Sequence, residues 1–248
     1  MQLVRSSILA GVLLVCSSAC QSTRQSASAE TRAPRFAGRT AEHWIASASQ
    51  SISPDVRTLA ALIALSPHDA GAERCVRDFL TDLDPSTRYE VVSALAQAPD
   101  ACHLFETELV RGVSDDNGDI AEMSTAALLD MYVRTGYLTP TLQRALDGAR
   151  ELSSPAIASA LNSCAWTDVA PENPRVEPRD RALRFAEAAV RMTDRQQVAY
   201  LDTLAWALFW ADRRSEAVKV EQEVLAKARA TDPNRPKYDA ALARFSAP

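Results

Sequence analysis

Glycine is scarce in this chain, with seven in 248 residues against roughly 7% in average proteins. They stand at Gly11, Gly38, Gly71, Gly112, Gly118, Gly136 and Gly148. Even the nearest pair, Gly112 and Gly118, cannot write a GxGxxG dinucleotide turn or a GxxxxGK phosphate loop. GxSxG, the nucleophile elbow of hydrolases, is absent too. The three histidines, His43, His68 and His103, are scattered, which argues against a multi-histidine metal or catalytic site. There is no CxxC. Long apolar runs are missing as well. The longest stretch of interest, residues 8–16 (ILAGVLLVC), is nine residues, and crossing a bilayer takes about 20 helical residues. What is present is an ordinary globular balance, 47% hydrophobic and 24% charged, which excludes wholesale disorder.

The first twenty residues read as an address. Arg5 is the one charge before the apolar run, and Ser17-Ser18-Ala19-Cys20-Gln21 follows it. Small residues directly before a cysteine resemble a bacterial lipobox. The resemblance implies a lipoprotein signal peptide over residues 1–19 and a diacylated Cys20 at the mature N-terminus. Ser17 stands where a lipobox usually has leucine, so an ordinary signal peptide cut near Ala19 or a short membrane anchor is the competing reading. Gln21 lacks the aspartate that retains lipoproteins at the Gram-negative inner membrane. The resemblance therefore places the chain in the bacterial cell envelope, on the periplasmic side and by preference at the outer membrane. Loss of residues 1–19 removes Arg5 alone among the charges and takes the formal charge from −5 to −6. An acidic body argues against nucleic acid, which calls for a basic face, and against electrostatic adhesion to anionic lipid. Residues 20–38, rich in Ser, Ala, Thr and Gln, read as a flexible tether.

From Thr40 on, apolar residues recur at three- and four-residue steps between short breaks. Ser53-Pro54-Asp55, Asp84-Pro85, Thr139-Pro140 and Ser154-Pro155 each pair a capping side chain with a proline, a helix start signal. Gly136 and Gly148 are candidate stops. Hairpin dipeptides and β-branched runs are nearly absent. The fold class is all-α.

Two self-similarities organise the body. Ser53-Pro54-Asp55-Val56-Arg57 and Asp84-Pro85-Ser86-Thr87-Arg88 lie 31 residues apart, each preceded by a shorter helix, at 41–49 and 72–81. A third pair fits at 101–111 and 120–133. Paired helices at this period, the second opened by Pro-Asp-Val-Arg, resemble HEAT repeats over residues 39–135, with an irregular helical bundle as the alternative. Farther on, Leu161-Asn162-Ser163-Cys164-Ala165-Trp166 aligns with Leu201-Asp202-Thr203-Leu204-Ala205-Trp206 at an offset of 40, and the helices that follow align at an offset of 35. The second unit is close to the 34-residue tetratricopeptide period. Residues 136–248 thus resemble tetratricopeptide repeats with a capping helix. Glu221 departs from that motif, at a place usually bulky and apolar, which suggests a slight rotation of its helix. Together the halves imply one continuous right-handed-type helical-hairpin solenoid.

Catalytic chemistry is hard to write on this chain. Asp115-Asp116-Asn117-Gly118-Asp119 superficially suggests a calcium loop, but the twelfth-position glutamate is missing and the segment reads as an acidic turn capping a helix. No metal, cofactor or catalytic residue is assigned. Three cysteines remain after Cys16 and Cys20, and Cys75 and Cys102 are expected to form a disulfide, each near the start of the first helix of successive pairs. First helices line the concave wall of tetratricopeptide arrays. The resemblance therefore implies a partner groove of Asn162, Trp166, Asp202, Trp206, Phe209 and Trp210, for an apolar segment with one basic residue. The bland alternative packs those tryptophans as core. The resulting expectation is a lipid-anchored, non-catalytic scaffold for a protein or peptide partner. A structural envelope lipoprotein without a groove, and an uncharacterised carboxylate-based hydrolase, are the rivals.

Overall fold

Most of the start signals act as helix caps. In the computed structural model, which describes residues 33–50, 54–171 and 179–247, Asp55 accepts a hydrogen bond from the Thr58 amide at 2.7 Å and opens α2 (Val56–Leu65). Asp84 accepts from the Ser86 and Thr87 amides and opens α4 (Pro85–Ala96). Thr139 and Ser154 do the same for α7 (Pro140–Leu146) and α8 (Pro155–Val169). Asp69 caps α3 (Ala70–Leu80), and Asn117 caps α6 (Gly118–Thr135). Each such cap is worth about 1 kcal/mol. Gly136, at φ +74°, stops α6 in the left-handed conformation that favours glycine. The remaining α-helices are α1 (Ala41–Ser49), α5 (Glu106–Gly112), α9 (Arg179–Met192), α10 (Val198–Trp210), α11 (Arg214–Lys227) and α12 (Arg235–Ser246). Among the described residues the protein is all-α apart from one two-stranded hairpin. No helix among the described residues is long and apolar enough to cross a membrane.

That hairpin pairs β1 (Arg35–Phe36) with β2 (Arg39–Thr40) through Ala37 and Gly38, both at positive φ (48° and 78°). Two successive positive φ values make the primed turn that matches strand twist. The Trp44 indole N–H donates to the Phe36 carbonyl at 3.3 Å, and the Phe36 and Trp44 rings meet edge to face. The tether expected over 20–38 is therefore corrected at its end, where Arg35 and Phe36 pair with Thr40 and Arg39, and Phe36 is anchored on α1. Residues 1–32, with the signal peptide, Cys20 and most of the expected tether, lie outside the described residues.

From α1 to α4 and from α8 to α12 each helix packs on its chain neighbour, and α1 to α4 also touch their next-but-one neighbours. One row runs the length of the chain: α2 touches α4, α4 touches α6, α6 touches α8, α8 touches α10 and α10 touches α12. A single buried apolar cluster follows this row from Ala41 to Phe245. Where α5 crosses α6, Gly112 lies so close that an added Cβ would meet the Ser124 Oγ at 2.3 Å and its Cβ at 3.1 Å. This glycine serves close packing rather than a turn.

Two expectations fail in the first half. The helix expected at 101–111 is split into a 3-10 segment, Pro99–Phe105, and the short α5. Cys102 and Phe105, three apart and fully buried, share one face at the 3-10 repeat, so burial favours the tighter winding. The split also removes the expected disulfide. Cys75 and Cys102 are both free thiols. The Cys102 Sγ turns into the core and approaches the Leu95 carbonyl at 3.4 Å, a direction set by α4 and not by α3. Burial pushes its thiol pKa up to about 11, with the Asp130 charge adding to the effect, so it is an inert, protonated core group.

Candidate functional site

Asp202 and Trp206 are one turn apart on α10, and Asn162 and Trp166 are one turn apart on α8, so each pair shares a helix face. With α8 against α10, the two faces meet. α12 completes the enclosure, bringing Lys237, Tyr238 and Arg244 to a pocket of about 540 Å³ with those four residues. That volume is in the range of small-ligand and side-chain sites. The pocket has aromatic walls, an amide, a carboxylate and two exposed cations at its rim.

Four of the six expected groove residues are thus together. Phe209 and Trp210 are not among its lining. Phe209 packs on Phe245, ring centroids 4.9 Å apart, and forms core with α12. The Trp210 indole N–H donates to the Val169 carbonyl at 3.0 Å, pinning α10 to the end of α8. Trp206 is 6% exposed, so it serves as core and as pocket wall at once. The Arg244 guanidinium lies 5.2 Å from the Trp206 ring centroid, 5.3 Å from that of Trp210 and 5.6 Å from that of Phe209. The α12 contribution went unforeseen, because residues 238–245 read only as a cap. The signal present was the stripe of Tyr238, Ala241 and Phe245, all buried.

The electrostatics of the site are unusual. Glu221 sits in the buried stripe of α11 with Ala217, Val220 and Val224. The rotation expected from its polar side chain does not occur. The helix keeps its apolar face and takes the carboxyl inside, at 0% exposure. Neither carboxyl oxygen has a hydrogen-bond partner. Burial raises its pKa to about 8, with the charges of Asp202 and Asp239 pushing the same way. Tyr238 is raised for like reasons, burial first and then Asp232, Asp202 and Glu221. The Asn162 Oδ1 is a further buried acceptor without a partner.

A second cavity, of about 710 Å³, opens between α9 and α11. Several of its charges pair with one another: Arg213 with Glu216 and Glu187, and Arg195, at its edge, with Glu223. In the acidic turn, Asp115 accepts two hydrogen bonds from Arg88 and one from the Asn117 amide, each at 2.9 Å, and Asn117 caps α6. Among the described residues, no group of three or more His, Cys, Asp or Glu side chains could hold a metal ion. Compared with protein-family models, curated proteins and solved structures, the chain matches none.

Proposed function

We propose that this chain is a lipid-anchored, non-catalytic interaction protein of the bacterial cell envelope. On this reading Cys20 carries the lipid on the periplasmic side, with the outer membrane preferred. Residues 39–135 are HEAT-like hairpins and residues 136–248 are tetratricopeptide-like hairpins of one solenoid, and the groove between α8, α10 and α12 binds a protein or peptide partner. The observation that carries the reading is the convergence of Asn162, Trp166, Asp202 and Trp206 on one pocket. The uninterrupted row of helices from α2 to α12 supports stacked hairpins, since a single hairpin cannot bury its own apolar face.

Trp166 is the residue to test, because it lines the pocket and is only partly buried. Trp166→Ala is expected to weaken partner capture from crosslinked envelopes by roughly thirtyfold, the loss of one aromatic anchor worth about 2 kcal/mol. Its melting temperature should stay within a few degrees of the parent. Undiminished capture by a folded Trp166→Ala protein would rule the groove out as the partner's seat.

A further inference from the structure

We propose that the α8–α10–α12 pocket recognises an acidic residue of an extended partner segment, the Arg244 guanidinium pairing with the carboxylate of a glutamate or aspartate side chain. The inference rests on the groove reading above and names the chemistry which that reading leaves open.

Two cations and one carboxylate line the pocket. The carboxylate, Asp202, already has an interaction of its own, so it does not call for the basic residue expected opposite it. Lys237 and Arg244 are exposed, and neither side chain makes a hydrogen bond or an ion pair among the described residues. Other arginines of this half are engaged: Arg181, Arg195 and Arg213 each hold a carboxylate, and Arg191 donates to the Leu146 carbonyl. Asp239, the one acid of α12, is exposed and does not line the pocket. With Arg235, Lys237 and Arg244 against Asp239, α12 carries +2 in a chain of −5.

Arg244 is held ready for an anion. Its guanidinium lies 5.2 Å from the Trp206 ring centroid and 5.3 Å from that of Trp210, the distance of cation–aromatic contacts. Such contacts fix the head group while its fork of N–H donors keeps no oxygen partner, and that fork matches a carboxylate with two parallel bonds. A head group already in place loses less freedom when the ligand arrives.

The layout of the walls sets the pattern of the ligand. α10 touches both α8 and α12, so Trp206 forms the floor, Trp166 stands on one wall and the two cations on the other. Side chains of an extended segment alternate in direction. The residue facing α12 is therefore acidic and its neighbour, facing Trp166, apolar. Lys237 precedes Arg244 by two turns on the same face, about 10.5 Å along the axis. Positive charge is thus offered along a stretch of the segment, which suits acidic side chains better than a single chain end.

The test is a tryptophan-fluorescence titration of the full chain in detergent micelles with three peptides. They are acetyl-Ala-Leu-Glu-Leu-Ala-amide, its glutamine twin, and the glutamine twin with a free C-terminal carboxylate. The glutamate peptide is expected to bind at least tenfold tighter than its amidated twin, as a charge-assisted pair requires, and the preference should shrink in 0.5 M salt. Arg244→Gln should erase most of the preference, Arg244→Lys should restore only part of it, and Lys237→Gln should lower it severalfold, all with unchanged melting temperature. Equal affinity for the glutamate peptide and its amidated twin, or a preference that survives Arg244→Gln, overturns the acidic-residue site and leaves the groove standing. Tighter binding of the free-carboxylate peptide than of the glutamate peptide overturns it in favour of a chain end. Binding of none overturns both the site and the groove.

Discussion

Replacing Glu221 with methionine is expected to stabilise the protein, and more so as pH rises. Methionine matches the length of the side chain and needs no hydrogen bonds in the stripe formed with Ala217, Val220 and Val224. In the parent, the carboxyl ionises near pH 4.5 when unfolded and only near pH 8 when folded. A group whose folded pKa is raised keeps its full contribution below the unfolded value and loses it as pH climbs through the folded one. The parent should therefore lose about 4 kcal/mol between pH 4.5 and 8, because the unfolded chain gives up a proton that the folded chain retains, at about 1.36 kcal/mol per pH step of one. Glu221→Met should not. Its advantage at pH 8 should exceed its advantage at pH 4.5 by that amount, roughly 10 °C in melting temperature for a chain of this size. Glu223 and Glu216 have lowered pKa values, set first by hydrogen bonds from Arg195 and Arg213, so their contributions are lost only below the window. Parallel pH profiles for parent and variant would show that Glu221 is solvated in solution.

The ion pair joining the end of α8 to the start of α9 should be nearly as consequential. The Asp168 Oδ2 accepts from the Arg181 Nη2 at 2.8 Å and from its Nε at 3.2 Å. The two side chains are only 6% and 11% exposed. Arg181→Met removes the guanidinium and its two hydrogen bonds from a buried carboxylate and should cost about 3 kcal/mol in urea unfolding. The double variant Asp168→Leu/Arg181→Met should recover most of that loss, since a well-packed apolar pair commonly equals a buried ion pair. A cost below about 1 kcal/mol for Arg181→Met would place the pair with ordinary surface bridges and outside the core.

Helix starts were legible in the sequence because caps act locally. Asp84-Pro85 and Ser154-Pro155 needed only their next three residues to satisfy the first amides. The split at 99–112 was not legible, because Cys102 and Phe105 follow a 3-10 repeat only once α4 and α6 are there to bury them. The 35–40 hairpin escaped for a different reason. Its turn places Ala37 at φ 48°, a conformation that the sequence signals through Asn or Asp far more readily than through alanine. At the site, the i, i+4 pairs Asn162/Trp166 and Asp202/Trp206 announced themselves by repetition. Trp210 misled, since its distance from Trp206 fits the same face, whereas its indole is drawn to the Val169 carbonyl. Glu221 was visible as a misfit. Its burial was not, because one carboxyl cannot outweigh three apolar neighbours on the same stripe.

Whether α8, α10 and α12 form the surface a partner occupies is tested most directly by photo-crosslinking in intact cells of the native host. The crosslinking residue is placed at Lys237, exposed on the rim of the pocket, with Arg144 on α7 as the distant exposed control. The expected result is a discrete adduct from position 237, none from position 144, and loss of the 237 adduct when Trp166→Ala is added. An adduct from position 144 alone, or one from position 237 that survives Trp166→Ala at full yield, would contradict a partner seated in this groove.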